Sequence, residues 1–322
     1  MERFRRSRTR FRRLHPAHAD VAQTQACWNK FEHEGEPGSY WWSAPGMQAR
    51  WNRKITGNPN KSYVAHVVET YFADREPLTA LTVGSGSGYG ERRWAEHYRF
   101  QSHQAFDIAH KRVKTAQAMA DAQGLTQLRY YVDDANVCQL AAESFDVVIF
   151  EQALHHVTRL EHLLGQVVLA LRPGGLVVVN EFVGASRFQW PDRQLAVINA
   201  ALQLLPIQYR MSCTSPGKVK PATVRPSLKG LMRSDPSEAA RSAEIPALLH
   251  RFFSVLEWKP YGGGLLHLLL EDIAGNFSAE SADDQALLTM CFQIEDTLTQ
   301  AGELPTDFVF AVACKPLEHG SH

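Results

Sequence analysis

The chain has 322 residues, 44% of them hydrophobic, which is enough for one elaborated α/β domain or two modest ones around a sizeable core. Lysine plus arginine equals aspartate plus glutamate at 34 each, so no global basic field points to nucleic acid. Apolar runs fall short of the roughly 20 residues that a membrane span needs. The five cysteines stand singly with no CxxC pair, which argues against a structural zinc site or a disulfide framework and fits a reducing, cytoplasmic setting.

The first thirteen residues, MERFRRSRTRFRR, carry seven arginines. Such a run suits an anionic partner, a transit peptide or, as the plainest reading, a solvated tail. Arg5 and Arg6 form a twin arginine, but no apolar stretch follows, so no export signal is expected. Residues 1–19 are read as a basic disordered tail and residues 20–77 as a helical cap rich in tryptophan, with Trp28, Trp41, Trp42 and Trp51 expected mainly in the core.

At Leu78 an apolar run begins that stops in three alternate glycines, LTALTVGSGSGYG, with Gly84, Gly86 and Gly88 free to take positive φ and to admit a ligand where a Cβ would collide. A helix is predicted over 91–98, a strand over 104–106, and Asp107 follows nineteen residues after Gly88. A carboxylate at the end of a second strand, at that spacing, can accept both hydroxyls of a ribose. Next come a helix over 110–123 closed by Gly124, a strand over 128–132 followed by Asp133 and Asp134, and the apolar strand FDVVIFE over 145–151. Leucines and valines at helical spacing from Leu160 to Leu171 end in Arg172, Pro173, Gly174 and Gly175, and LVVVNEF over 176–182 reads as another buried strand. Such alternation implies a parallel sheet with right-handed crossovers, with residues 78–183 as the ligand-binding core.

Residues 184–245 are rich in arginine, proline and serine and are read as a lid over the site, where aromatics beside Arg187, Lys220 and Arg225 suit a polyhydroxylated or anionic substrate. In residues 246–318 the segments 252–258 and 308–314 are predicted as the last two strands, antiparallel, with helical spacing between them over 265–273 and 284–301. Gly262, Gly263 and Gly264 are read as a flexible turn rather than a second phosphate loop.

Taken in order, VGSGSGYG at 83–90, FD at 106–107, DDA at 133–135 before FDVVIFEQALHHV, and LRPGGLVVVNE at 171–181 make the chain resemble the class I S-adenosylmethionine-dependent methyltransferases, especially the quinone methyltransferases. The resemblance implies a doubly wound, mostly parallel seven-stranded sheet. It puts Gly84, Gly86 and Gly88 against the amino-acid part of S-adenosylmethionine, Asp107 on the ribose, Asp134 on the adenine amino group with Ala135 beside the ring, and Glu151 and Gln152 next to the methionine moiety. One position departs from the family pattern: Thr82 stands where an acid is common, and Glu91 either replaces that charge or caps its helix. The flanks, including NEFVGASRFQWPDRQ and DPSEAARSAEI, are similar to a narrower bacterial group of these enzymes, some of them associated with sugar or polysaccharide assembly.

Methyl transfer requires in-line alignment, exclusion of water and, for an alcohol, removal of a proton. The candidates at strand ends are His155, His156 and Glu181, with His156 preferred as base and Glu181 free to pair with Arg187 instead. A metal site built from Glu151, His155 and Glu181 matches no familiar spacing, so no metal is expected. The leading expectation is methyl transfer to an oxygen of a small-molecule acceptor, a sugar-containing one among the options. The alternative is an S-adenosylmethionine-binding protein without transfer activity, and a homodimer remains open.

Overall fold

The computed structural model describes residues 16–29 and 39–316, so the arginine run lies outside the described residues. In chain order, α1 (Pro16–Trp28), α2 (Met47–Thr56) and α3 (Tyr63–Val67) precede β1 (Thr79–Val83). The alternating part runs through α4 (Tyr89–His97), β2 (Ser102–Asp107), α5 (His110–Ala122), β3 (Leu128–Val132), β4 (Phe145–Glu151), α6 (Leu160–Ala170) and β5 (Leu171–Phe182). After it come α7 (Asp192–Leu204), α8 (Leu228–Ser234), α9 (Ile245–Phe252), β6 (Ser254–Gly262), α10 (Leu266–Leu270), α11 (Ala282–Gln300) and β7 (Phe308–Cys314).

The seven strands form one sheet in the order β3-β2-β1-β4-β5-β7-β6. The first five run parallel, and β7 is antiparallel to both β5 and β6. Strand order reverses between β1 and β4, the point where open α/β sheets leave a crevice at the carboxyl ends of their strands. Glycine turn, Asp107, Glu151 and Glu181 all sit along that edge.

Alternate side chains of the central strands feed two cores. Ala80, Val147, Ile149 and Val178 pack with Met47, Trp94, Ile198 and Leu269 on one face, and Leu81, Val148, Phe150, Val177 and Val179 pack with Leu160, Leu164, Val167 and Leu249 on the other. Burial on both faces explains why β4 and β5 read as continuous apolar runs. Of the front tryptophans, Trp41 is buried, Trp51 is half-buried against the first core and Trp42 is exposed.

Local departures from the sequence expectation have physical causes. The Arg172–Gly175 turn lies inside β5 as an irregularity: Phe145 pairs with Leu171 and Val147 with Leu176, while Gly174 takes φ +71°. Phe252 ends α9 instead of opening β6, and β6 extends to Gly262, carrying Pro260 on an edge strand where a missing amide is tolerated. Gly262–Gly264 is a turn tied to the protein interior. It wraps around the buried carboxylate of Glu295, which accepts the amides of Gly263, Leu265 and Leu266, each at 3.0 Å. Those donors are therefore taken by the protein itself.

Candidate functional site

Gly84, Gly86 and Gly88 adopt φ of +75°, +53° and +78°, as the sequence reading requires. The Gly84 and Ser85 amides bond to Phe106 O at 2.9 and 3.0 Å, fastening the turn to the end of β2. There Asp107 accepts the Gly86 amide on Oδ2 and the Ala109 amide on Oδ1, both at 2.8 Å. Each carboxylate oxygen keeps a further lone pair for a ligand hydroxyl. A Cβ at Gly84 would stand 2.6 Å from the Ala153 Cβ, and one at Gly88 would stand 2.7 Å from the Tyr130 hydroxyl, so packing as well as φ demands glycine at both.

Asp134 is half-buried, and its Oδ1 accepts the Asn136 backbone amide at 2.8 Å and the Asn136 Nδ2 at 3.0 Å, an Asx turn that leaves the other oxygen for a ligand. Ala135 is half-buried against the second core. Glu151, at the end of β4, accepts from Trp94 Nε1 at 2.8 Å and from the Tyr63 hydroxyl, with Arg93 at 3.5 Å. Gln152 follows at φ +51° and donates to Asn180 O from its backbone at 2.8 Å. A cavity of about 50 Å³ beside Glu151 is lined by Tyr63, Arg93, Asn180 and Tyr261.

Thr82 is buried and bonds His103 Nε2 at 2.8 Å. The N-cap of α4 is Gly88, and the Glu91 carboxyl, which takes its own first-turn backbone amide, is also buried against Thr82 and Tyr130. Burial, reinforced by the charge of Glu151, pushes its pKa up to about 8.

The three catalytic candidates come together after β4. His155 and His156 lie in the short turn Leu154–His156, with ring centroids 4.1 Å apart. Glu181 is fully buried and accepts the amides of Ala153, Leu154 and Phe182 at 2.8, 2.6 and 2.8 Å, together with His155 Nδ1. It does not pair with Arg187, whose guanidinium instead holds Pro236 O and Glu238 O. Burial opposes protonation of His155, but Glu181 and the neighbouring Glu238 and Asp235 outweigh it and raise its pKa. His156 is held well below the usual imidazole range by burial, with His155 and Arg112 adding to the effect.

Sequence reasoning missed Asp235, Ser237 and Glu238, which residues 235–240 bring onto the histidine pair. The Ala240 amide bonds His155 O at 3.0 Å, and Arg241 ties the segment to Glu161 on α6. Asp235 Oδ1 accepts the Ser237 hydroxyl at 2.6 Å, and Ser237 Oγ lies 3.1 Å from His156 Nδ1. The hydroxyl proton is directed at the carboxylate, so His156 donates from Nδ1 and keeps its lone pair on Nε2. Arg187, Phe188 and Ala239 take φ of +56°, +55° and +44° around this cluster, non-glycine strain of the kind that gathers at functional sites. Several basic residues that suggested an anionic substrate are engaged internally: Lys220 donates to the carbonyls of Leu268 and Glu271, and Arg225 to Trp190 O and Asp192.

Among the described residues no helix is long and apolar enough to cross a membrane. Residues 81–179 match the family described as a methyltransferase domain. Over 112 residues the chain is 29% identical to phosphoethanolamine N-methyltransferase 2 of Caenorhabditis elegans, covering 34% of this chain and 25% of that protein. Over 113 residues it is 28% identical to the ubiquinone/menaquinone biosynthesis C-methyltransferase UbiE of Dinoroseobacter shibae, covering 35% and 45%. The chain thus spans less than half the length of either curated relative. A solved structure of Haemonchus contortus phosphoethanolamine N-methyltransferase 2, in complex with phosphomonomethylethanolamine and S-adenosylhomocysteine, aligns at a TM-score of 0.49 with 16% identity, over 86% of this chain and 58% of that one. With its glycine turn opening a sheet of this strand order, the segment 81–179 at the core of the chain is a methyltransferase domain.

Proposed function

We propose that the protein transfers the methyl group of S-adenosylmethionine to an oxygen of a small-molecule acceptor, a sugar-containing compound among the options, in a cytoplasmic setting. The observation that carries the reading is the glycine turn, with all three glycines at positive φ and the Asp107 carboxylate closed onto the Gly86 amide. In this reading Asp107 takes the ribose hydroxyls, Asp134 and Ala135 the adenine, and Glu151 and Gln152 flank the methionine moiety. Glu91 is buried beside Thr82, where the family often carries an acid, but with its pKa raised to about 8 it offers that place a mostly neutral carboxyl near pH 7, not a charge.

The acceptor end is assigned to the histidine cluster rather than to the cavity beside Glu151. His155, oriented by Glu181, is the preferred base for an acceptor hydroxyl, in place of His156, because carboxylates surround it and favour the imidazolium that forms on proton transfer. Glu181 acts as a positioning residue. The two curated relatives are named for nitrogen and carbon transfer, so the choice of oxygen rests on the base alone. The test is calorimetric titration with S-adenosylhomocysteine, followed by a methyl-transfer screen of sugar and phenolic acceptors. Binding without turnover on any class of acceptor would favour the reading as a binding protein, and absence of binding by folded protein would sink both.

A further inference from the structure

We propose that His155, His156 and Glu238 bind a divalent first-row transition-metal ion at the acceptor end of the site. The proposal rests on the reading of this cluster as the acceptor end, and it uses a ligand set different from the Glu151, His155 and Glu181 combination that the sequence argued against.

One ring nitrogen from each histidine and one carboxylate oxygen of Glu238 lie within 4.8 Å of one another, so the widest pair must close to below about 4.2 Å, twice the ligand distance, for all three to share an ion. His155 Nε2 is 3.7 Å from Glu238 Oε1, too far for a hydrogen bond. It is a natural separation for two atoms that share an ion, since ligands about 2.1 Å from a metal stand roughly 3 to 4 Å apart. The shell behind these ligands is already built. Metal-binding histidines characteristically donate their other ring nitrogen to a carboxylate or a carbonyl, which fixes the tautomer and aims the lone pair. His155 does so directly to Glu181, and His156 does so through Ser237 to Asp235.

Charge provides an independent argument. Glu181, Asp235 and Glu238 crowd three carboxylates around two imidazoles, offset in part by Arg187, which holds backbone carbonyls of the same segment and whose charge also acts on Glu238, and by Arg112 beside His156. Asp235 is 6% exposed, and its Oδ2, 3.8 Å from His156 Nδ1, has no hydrogen-bond partner among the described residues. A buried carboxylate oxygen left without a donor is costly, and a divalent cation in the cluster compensates it. Two imidazoles and one carboxylate favour zinc, iron(II), cobalt(II) or manganese(II) over magnesium or calcium, which prefer all-oxygen shells. Three protein ligands leave a position for an acceptor hydroxyl, whose acidity the ion would raise. With the ion bound, the histidines are ligands and the ion takes over the task of the free imidazole. The hydroxyl proton leaves to water, the methyl group replaces it on oxygen, and S-adenosylhomocysteine departs.

The experiment is calorimetric titration of chelator-treated full-length protein with zinc, with cobalt(II) absorption as the spectroscopic signature of nitrogen ligation. The wild type is expected to bind one ion per chain at micromolar concentration or below. Glu238→Gln and His156→Gln should each weaken binding at least tenfold, in line with losses known for metal sites, while retaining S-adenosylhomocysteine affinity. No saturable binding by wild type overturns the proposal, as does binding indifferent to both substitutions, which would place the ion on other histidines. Should either variant fold poorly, the wild-type cobalt spectrum decides: a spectrum of hexahydrated cobalt rejects the site. S-adenosylhomocysteine titration of the same samples keeps a failure of the methyltransferase reading separate from a failure of the metal site.

Discussion

His155 donates from Nδ1 to Glu181, a carboxylate with no solvent exposure that also accepts three backbone amides, from Ala153, Leu154 and Phe182. One side chain at the end of β5 therefore fixes both the backbone of the loop after β4 and the orientation of the imidazole that loop carries. A glutamine at 181 offers one acceptor oxygen in place of two and turns an NH₂ toward existing donors. Glu181→Gln is expected to destabilise the fold by about 3 kcal/mol or more, as buried donors left unsatisfied would require. Turnover should fall further than S-adenosylhomocysteine affinity, because the loop bears on the acceptor end. Chemical denaturation and calorimetry of the variant check both, and unchanged stability would mean that the amides find other acceptors.

Asp107 makes a contrasting case, because its two backbone partners hold it at the mouth of the glycine turn with lone pairs to spare. Asp107→Ala is expected to weaken S-adenosylhomocysteine binding by more than about tenfold, since hydrogen bonds to a charged acceptor are worth roughly 1.5 to 3 kcal/mol. Asp107→Asn, which keeps the shape and one acceptor oxygen, should lose less. Calorimetric titration of the pair measures this, and equal affinity in all three proteins would remove Asp107 from the ribose.

Glu91 supplies a pH prediction. Its folded-state pKa is raised to about 8, chiefly by burial, while an unfolded glutamate titrates near 4.3. The folded protein therefore holds a proton that the unfolded chain releases. This contribution to stability is fully present below about pH 4.3 and declines as pH rises through about 8. Glu91→Gln, neutral at every pH, should match wild type near the acid end and exceed it above pH 8. Thermal melts of both proteins across pH 6 to 9 test this: parallel curves would mean that Glu91 is ionised at neutral pH.

How much of this was legible in sequence depends on how far apart the cooperating residues lie. Asp107 was readable because its distance from Gly88 is set by one strand-turn-helix-strand unit, and β4 and β5 because burial on both faces leaves an unbroken apolar run. The partners of the histidine pair were not readable. Asp235, Ser237 and Glu238 arrive from about 80 residues downstream, in a polar stretch indistinguishable by composition from a solvated loop. The ties of Gly262–Gly264 were not readable for the same reason: a glycine triplet gives no sign of the Glu295 carboxylate that it encloses. Glu91 was ambiguous because a first-turn glutamate commonly serves the helix end, and only the packing of Thr82 and Tyr130 reveals its burial.

The same triplet gives a last prediction, in which rigidity and not ligand binding is at stake. Glu295 is 1% exposed, and besides the three amides it pairs with Arg50 at 3.0 Å, itself buried. Glu295→Ala would leave three amides without an acceptor and deprive Arg50 of one of its two carboxylate partners, Asp296 remaining at 2.7 Å. Breaking a buried ion pair costs about 3 to 5 kcal/mol, and that is the loss expected. Gly264→Ala approaches the same segment from the other side, since its Cβ would stand 2.0 Å from the carbonyl oxygen of Pro305, which backbone must move to relieve. Both variants should show faster amide exchange over residues 262–266, lower melting temperatures and undiminished S-adenosylhomocysteine affinity in the folded fraction. Inorganic phosphate should not stabilise the wild type through this loop, because an internal carboxylate already holds the amides that a phosphate would need. Phosphate protection of those amides in the wild type would restore the phosphate-loop reading and displace Glu295 from its place in this argument.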